Sequence, residues 1–464
     1  MGLEDKILAL EALVSNLLKE VASLKAENST LKKEVKDLRA QLKQNSKNSH
    51  KPPSSDLIKT ALPRKKGGKR GEKEGHKGNT LKMVKHADIY ETHYPEHCSV
   101  CGESLEGLSA NLGDEVRQVY DIVLQPIKIT EHRYAVVKCK CGSVNCGRFP
   151  SYATQSAQYG PNIKAFWTVL NNDCRLPFEK IQQLTSDLFD QKVNIATVLN
   201  SGSQCYKKLE KVESYIKSKV LESKVVHFDE TGVRTAAKNY WVHVASTPQY
   251  TQLFGHEKRG KDAMKSESGI LETFSGRAVH DSWRSYFGFD CNHALCNAHI
   301  LRELTAAKEQ GRNWAVKMHE LLMSLYESTD KGKSTAKDYE LWHQKFTQIT
   351  EQGDKEEAPK IKGKRGRPKG NKSRNLLERL IQYQNEVLAF AKYKDVPFTN
   401  NLAERDIRNI KTKIKVATSF RTYNGLKVYT RIQSFISTLK KHQLNVFTNL
   451  KTVFEGKFDM ASLR

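Results

Sequence analysis

A chain of 464 residues is too long for one ordinary domain and long enough for two to four with cores of their own. Lysine and arginine outnumber aspartate and glutamate by 77 to 52, a formal net charge of +25, so a polyanionic partner is expected: DNA, RNA or an anionic membrane surface. No apolar run approaches the roughly 20 residues of a membrane span, the N-terminus lacks the apolar core of a signal peptide, and nine cysteines with two tight pairs fit a metal site in a reducing compartment better than a disulfide framework. A cytoplasmic protein is expected.

Residues 1–44 carry the most regular pattern. Heptad d positions are Leu3, Leu10, Leu17, Leu24, Leu31 and Leu38, and a positions are Ile7, Val14, Val21, Asn28, Val35 and Leu42. β-Branched residues at a with leucine at d favour a parallel two-stranded coiled coil, and a single asparagine at a fixes its register. The flanking charges agree, pairing Lys6 with Glu11, Glu20 with Lys25, Glu27 with Lys32 and Glu34 with Arg39 between the two helices. A homodimer, or a larger assembly seeded by one, is the expectation.

From 45 to 85 the chain is rich in Lys, Arg, Gly and Ser with few apolar residues. Such a composition cannot bury a core and reads as a basic linker that tethers or touches a DNA backbone. A zinc-binding module is expected over 86–150. Cys98 and Cys101 form a C-x2-C knuckle closed by Gly102, a spacing that brings two thiolates to one tetrahedral ion. Cys139 and Cys141 supply the other two ligands, with Cys146 as the alternative fourth. Four thiolates close the shell, so this zinc would be structural. Over 151–220, "PFEKIQQLTSDLF" and "NIATVLNSGSQCYKKL" place apolar residues at helical spacing around a short break, with Asn194 as N-cap. The pair reads equally as a helix-turn-helix entering a major groove and as an ordinary helical hairpin.

Residues 221–300 turn to strands. "VVHFDET", "NYWVHVAST" and "YTQLFGHEK" are followed by "GRAVHD" and by "HALCNAHILREL", a strand running into a helix. Acids close two of these strands, at Asp229 and Asp281, and a third acid, Glu404, opens the helix "NNLAERDIRNIKTKIKV" within 393–440. Three strands followed by strand and helix units match the order of an RNase H-like α/β fold, in which two aspartates lie side by side and a helix brings a glutamate over them. In-line displacement at a phosphodiester uses two divalent ions about 3.5–4 Å apart, and hard ions such as Mg²⁺ take carboxylate oxygens. Glu230, next to Asp229 on an extended strand, should point to the opposite face and be structural.

"HFDETGVR", "HDSWRSY", "CNAHILREL", "GRPK" with "RNLLERL", and "NNLAERDIR" followed by "FRT" resemble the transposases of the insertion sequence 66 family, a DDE class of bacterial mobile element. The coiled coil and the cysteine knuckle also stand where that family has them. The resemblance implies that Asp229, Asp281 and Glu404 are the catalytic triad and hold Mg²⁺ or Mn²⁺. It implies hydrolysis at the 3′ ends of the element and attack of the freed 3′-OH on target DNA. It also implies double-stranded DNA as partner, nucleoid association, and accessory proteins encoded beside the transposase. A regulator or decayed element that binds without cutting, and a structure-selective nuclease that cuts without joining, are the rival readings.

Asp229 and Asp281 are 52 residues apart, but Asp281 and Glu404 are 123 apart, more than the fold requires. A helical insertion is therefore expected over 301–392, carried by "NWAVKMHELLMSLYES" and "NLLERLIQYQNEVLAFAKY" around a basic loop. In that loop "RGRP" resembles the AT-hook, so Arg365, Arg367 and Lys369 read as minor-groove contacts or as a solvated linker. Arg408, Lys411 and Lys415 share a helix face with Glu404 and are assigned to phosphates. Cys296 and His299, three apart on a helix, read as a metal-holding pair or, more simply, as a packed or hydrogen-bonded pair near the site, Trp241 and Trp283 as core aromatics with Trp283 also placed to stack on a displaced base. Residues 441–464 read as a tail.

Overall fold

The computed structural model describes residues 3–42, 83–93, 95–109, 117–120, 127–141, 143–360 and 370–463. The expected linker, except for its last residues, and the loop residues Arg365, Arg367 and Lys369 lie outside the described residues. The chain divides into two units, one of residues 58–129 with 188–190, the other of everything else. Among the described residues no helix is long and apolar enough to cross a membrane.

In the smaller unit the Cys98–Cys101 knuckle is a tight turn. The Gly102 amide donates to the Cys98 carbonyl at 3.0 Å and the Cys98 amide to Glu103 at 2.9 Å. Gly102 sits at φ +77°, in the left-handed region that glycine enters without steric cost.

The larger unit begins with α1 (Leu3–Leu42), one unbroken helix. Along it the side chains of Leu10, Val14, Leu17, Val21, Leu24, Leu31 and Val35 are exposed. A short hairpin follows, β1 (Val136–Lys138) and β2 (Val144–Cys146). Next come α2 (Pro161–Thr168), a single π-helical turn at Val169–Asp173, α3 (Phe178–Phe189), α4 (Ile195–Lys208) and α5 (Glu210–Leu221). Asn194 caps α4 by accepting from the Ala196 amide at 2.8 Å. Trp167, Ile181, Val193 and Val198 form a small core shared by α2, α3 and α4.

The central sheet is built from β3 (Val225–Thr235), β4 (Lys238–Ser246), β5 (Thr251–His256), β6 (Arg277–His280) and β7 (Asn292–Leu295), with the short helix α6 (Lys261–Met264) between β5 and β6. Their order is β5-β4-β3-β6-β7. The first three run as antiparallel hairpins, and β6 and β7 join parallel to β3. Then follow α7 (Asn297–Glu309), α8 (Asn313–Ser328), α9 (Tyr339–Glu356), α10 (Lys372–Gln382), α11 (Gln384–Val387), α12 (Ala389–Lys392), α13 (Asn401–Ala417), α14 (Tyr423–Lys441) and α15 (Val446–Glu455).

Alternation along the strands gives each face its own core. Val226, Phe228 and Ala245 pack with α5, α14 and α15, whereas Val233, Val242 and Val244 pack with Ala403, Ile407 and Ile410 of α13. The helices of the insertion form a third core, in which Trp314, Met318, Phe346, Leu377 and Phe390 close over Val279 and Leu295 of β6 and β7. The segment 441–464, read as a tail, carries α15, whose Leu450, Val453 and Phe454 are buried.

Two polar joints hold the long helices. The amide of Leu253 in β5 donates to the Ser434 hydroxyl at 2.8 Å and that of Thr251 to Thr438 at 3.2 Å, so hydroxyls of α14 cover the free edge of the sheet. On the far side of α13, buried Lys413 donates to the carbonyls of Asn171 and Leu176, each at 3.2 Å, and Arg175 pairs with Asn409. Burial pulls the Lys413 ammonium down to about 8.

Candidate functional site

β3 pairs with β6 through Val225 with Arg277, Val226 with Ala278 and His227 with Val279. That register carries an offset of 52 residues, the same as the separation of Asp229 and Asp281, so extending it by two residues brings Asp229 level with Asp281, just past the end of β6. The ladder between β3 and β6 stops two residues short of them, while β3 continues beside β4 to Thr235. Ligands of open α/β sheets bind in such a crevice outside the carboxyl ends of parallel strands. Asp229 accepts the Glu230 amide at 2.9 Å, and Asp281 accepts the Trp283 amide at 3.0 Å. Burial pushes the Asp229 carboxyl up to about 8, helped by the charges of Glu230 and Asp281 and opposed by Lys411.

Asn400 ties the third acid to this edge. Its side-chain amide donates to the Phe228 carbonyl at 2.7 Å, its side-chain oxygen meets His227 Nδ1 at 2.9 Å, and its backbone amide donates to Cys296 Sγ at 3.1 Å. Burial lowers His227 to about 4, so the ring is neutral and carries its proton on Nδ1, the nitrogen facing the Asn400 oxygen. Asn400 thereby clamps the start of α13 to the residues just before Asp229, and Glu404 lies in the first turn, where a carboxylate suits the helix dipole. Asn400→Ala removes two buried side-chain bonds and strands their partners. We expect it to cost about 2–4 kcal/mol, read from urea unfolding with the slope unchanged. A loss below about 0.5 kcal/mol would show that the clamp carries little.

Asp229, Asp281 and Glu404 do not form a group whose ligand atoms all lie within 4.8 Å of one another among the described residues. Among the described residues, the group of three metal-type ligands whose atoms all lie within 4.8 Å of one another is Cys296, His299 and Glu404. His299 Nδ1 is 3.9 Å from Glu404 Oε1, and that oxygen is buried and accepts no hydrogen bond among the described residues. Burial pushes the Cys296 thiol up to about 11.

Glu230 projects to the other face of β3. Its side chain is 2% exposed, pairs with Arg259 at 2.8 Å and accepts the Tyr286 hydroxyl. The Arg259 guanidinium is stacked between Trp241 at 4.8 Å and Trp283 at 4.2 Å. Beneath, buried His280 stacks on Tyr286 with centroids 4.5 Å apart and meets His293 Nδ1 at 3.0 Å. Burial drives His280 down to about 3, so it stays neutral.

Arg408, Lys411 and Lys415 are exposed along α13. Lys411 is near enough to Asp229 to stabilise its charge. In the larger unit the Cys139 amide donates to Ser143 at 2.8 Å, and Cys146 lies at the end of β2 opposite Val136. The Ser143 hydroxyl, 3.4 Å from Cys141, lowers that thiol to about 7. In the smaller unit hydrogen bonds from the Cys101 and Val100 backbone lower Cys98. Thiols so placed are ready to ionise for a metal. Sequence reasoning passed over Asn400, Arg259 and Tyr286. Tyr286 lies within the quoted "HDSWRSY", but an asparagine before a helix reads as a cap and Arg259 as one of many surface cations.

Fold and site define a mixed α/β protein with two neighbouring aspartates at the carboxyl side of its parallel strands and a basic helix beside them. A model described as the Transposase IS66 family matches residues 156–428, more than half of the chain, which therefore belongs to that family. The chain is a transposase, a DNA-processing enzyme that binds DNA, and its family points to the use of divalent metal. Residues 4–82 match a second family, described as one of unknown function. No curated relative matches the chain.

Proposed function

We propose that this transposase cleaves DNA at the ends of its element and joins the freed 3′-OH to target DNA, using Asp229, Asp281 and Glu404 in an RNase H-like domain. The observation that carries the reading is the register of β3 with β6, whose 52-residue offset brings Asp229 level with Asp281 just past the end of β6, with Asn400 clamping the helix of Glu404 to the same edge. The strand order β5-β4-β3-β6-β7 supports the RNase H-like assignment.

The donors fit Mg²⁺ or Mn²⁺: three carboxylates, of which Asp229 is held protonated by burial and Glu404 Oε1 accepts no hydrogen bond among the described residues. Two such ions, when bound, activate the attacking oxygen and stabilise the leaving one. The protein's own residues align the substrate. Arg408, Lys411 and Lys415 hold phosphates beside the crevice, which makes binding strongly dependent on salt. Arg365, Arg367 and Lys369 enter a minor groove, and α4 contributes to recognition of the ends. Cys98, Cys101, Cys139 and Cys141, with Cys146 in reserve, hold a structural zinc. Work on the nucleoid with element-encoded partners completes the reading.

α1 pairs with α1 of a second copy, because its exposed a and d side chains have the spacing of a two-stranded seam. Leu17→Lys with Leu24→Lys puts charges into that seam. Sedimentation is expected to shift from dimer to monomer, and an unchanged dimer would place the interface elsewhere.

The raised Asp229 carboxyl has a signed consequence. Its folded value, about 8, lies above the ordinary 3.8, so between those values the folded state binds the extra proton and stability falls as pH rises. The cation must displace that proton. The melting temperature without divalent metal should therefore fall from pH 6 to pH 8.5, with Mg²⁺ restoring more at pH 8.5. Asp229→Asn should flatten both trends, and a Mg²⁺ effect that ignores pH would count against Asp229 as a ligand.

The direct test incubates full-length protein with labelled element ends, a target plasmid and Mg²⁺ or Mn²⁺. Joined product supports strand transfer, cut ends alone support a nuclease, and binding without cutting, even with host lysate, supports a regulator or decayed element.

A further inference from the structure

Cys296, His299 and Glu404 come from two elements that a hydrogen bond from Asn400 to Cys296 ties together. Cys296 follows the last residue of β7, and His299 lies in the first turn of α7, its amide 3.2 Å from the Cys296 carbonyl, so both side chains flank one helix start. Glu404 approaches from the first turn of α13, held there by the Asn400 amide donating to Cys296 Sγ at 3.1 Å. The sulfur is buried and the other two groups are partly buried.

Sulfur, imidazole nitrogen and carboxylate oxygen together are a zinc-type donor set, whereas Mg²⁺ takes oxygens in an octahedron. A tetrahedral zinc at about 2.0–2.3 Å from each donor sets them about 3.3–3.8 Å apart. His299 Nδ1 and Glu404 Oε1 are already 3.9 Å apart, and all three ligand atoms lie within 4.8 Å of one another. Rotamer adjustments close that gap. The Glu404 oxygen that accepts no hydrogen bond among the described residues gains a partner in the same step.

We propose that Cys296, His299 and Glu404 form a binding site for a thiophilic divalent cation of the zinc class, which holds Glu404 away from the aspartate pair and inhibits the enzyme. The site stands on geometry alone, while its inhibitory consequence rests on the role given to Glu404 above. Three protein ligands leave a fourth position for water. Hard ions at Asp229 and Asp281 and a soft ion beside Cys296 thus compete for one carboxylate.

The experiment counts metal on the full-length protein, independently of activity. Wild type, Cys296→Ser and His299→Gln are loaded with Zn²⁺, desalted into buffer with excess Mg²⁺, and assayed by elemental analysis and by titration against a chromophoric zinc chelator. Wild type should retain one equivalent more than either variant. The affinity lost should be at least about tenfold, since even an outer-shell partner is worth about 10–100-fold. Circular dichroism checks the fold, and His299→Gln carries the test if the buried Cys296→Ser misfolds.

Equal zinc in all three proteins overturns the site. A second arm measures, within each protein, the fraction of Mg²⁺-dependent cleavage that survives micromolar Zn²⁺. That fraction should be low for wild type and higher for Cys296→Ser, and equal fractions overturn the inhibition while the site stands. If no protein cleaves DNA, the metal count still decides the site, and the failure falls on the proposed strand transfer.

Discussion

Asp229→Asn and Asp281→Ala each lower cleavage at labelled element ends by at least about 10³-fold while DNA affinity stays near that of wild type. The magnitude follows from several kcal/mol of transition-state charge stabilisation, each 1.36 kcal/mol of which is tenfold in rate. Affinity is spared because the groups proposed to hold phosphates are the cations Arg408, Lys411 and Lys415 on α13, outside the acidic pair. The two variants should fail alike, since the register brings their acids level just past the end of β6. Single-turnover cleavage and filter binding on the same preparation check both halves. Cleavage reduced less than tenfold in either variant would remove that acid from the reacting centre.

Asp406→Ala is the largest expected change in stability, about 3–5 kcal/mol, because it leaves a buried ammonium without its counter-charge. Asp406 accepts from Ser246 at 2.6 Å, Thr251 at 2.7 Å and Lys441 at 2.7 Å. Lys441 also donates to the carbonyls of Thr247 and Tyr250 at 2.8 and 3.1 Å. One buried network thus joins α13, α14 and the turn between β4 and β5. Desolvation lowers the Lys441 ammonium and the Asp406 charge opposes it, so the lysine alone is costly to keep. Adding Lys441→Met to Asp406→Ala should recover most of the loss, since the unpaired charge is gone. Urea unfolding of the two proteins measures this, and a double variant no more stable than the single one would place the damage in packing instead.

The strands were legible because their β-branched runs end at turn residues, and all five expected segments are strands of the sheet. The helices over "NWAVKMHELLMSLYES" and "NNLAERDIRNIKTKIKV" were legible from their apolar stripes. α9 was not, because its buried face is Phe346, Thr350 and Gly353, two of which carry no hydrophobic signal. α14 was hidden in another way. Its Thr430, Ser434, Ser437 and Thr438 carry no apolar signal, yet all are buried, and Ser434 and Thr438 meet the edge of β5.

In the site, the sequence supplied the acids but not their arrangement. That Asp229 and Asp281 stand level depends on a parallel register that no local pattern encodes. The company Glu404 keeps with Cys296 and His299 depends on contacts across more than 100 residues. Asn400 speaks to the same point, since a residue that looks like a helix cap spends its side chain on β3 instead.

Lys413 gives α13 a second fixed point. The helix is clamped at Asn400 and again, about 20 Å along at 1.5 Å per residue, where Lys413 grips the Asn171 carbonyl in the π-helical turn and the Leu176 carbonyl just beyond it. A rod fastened at both ends works as a lever. Any tilt of the helical region that carries α2 and α3 is delivered to the first turn, where Glu404 sits, and a shift of an ångström there decides which donors that carboxylate can reach. On the reading proposed above, DNA seated on the helical region would reach the catalytic carboxylate through this one helix.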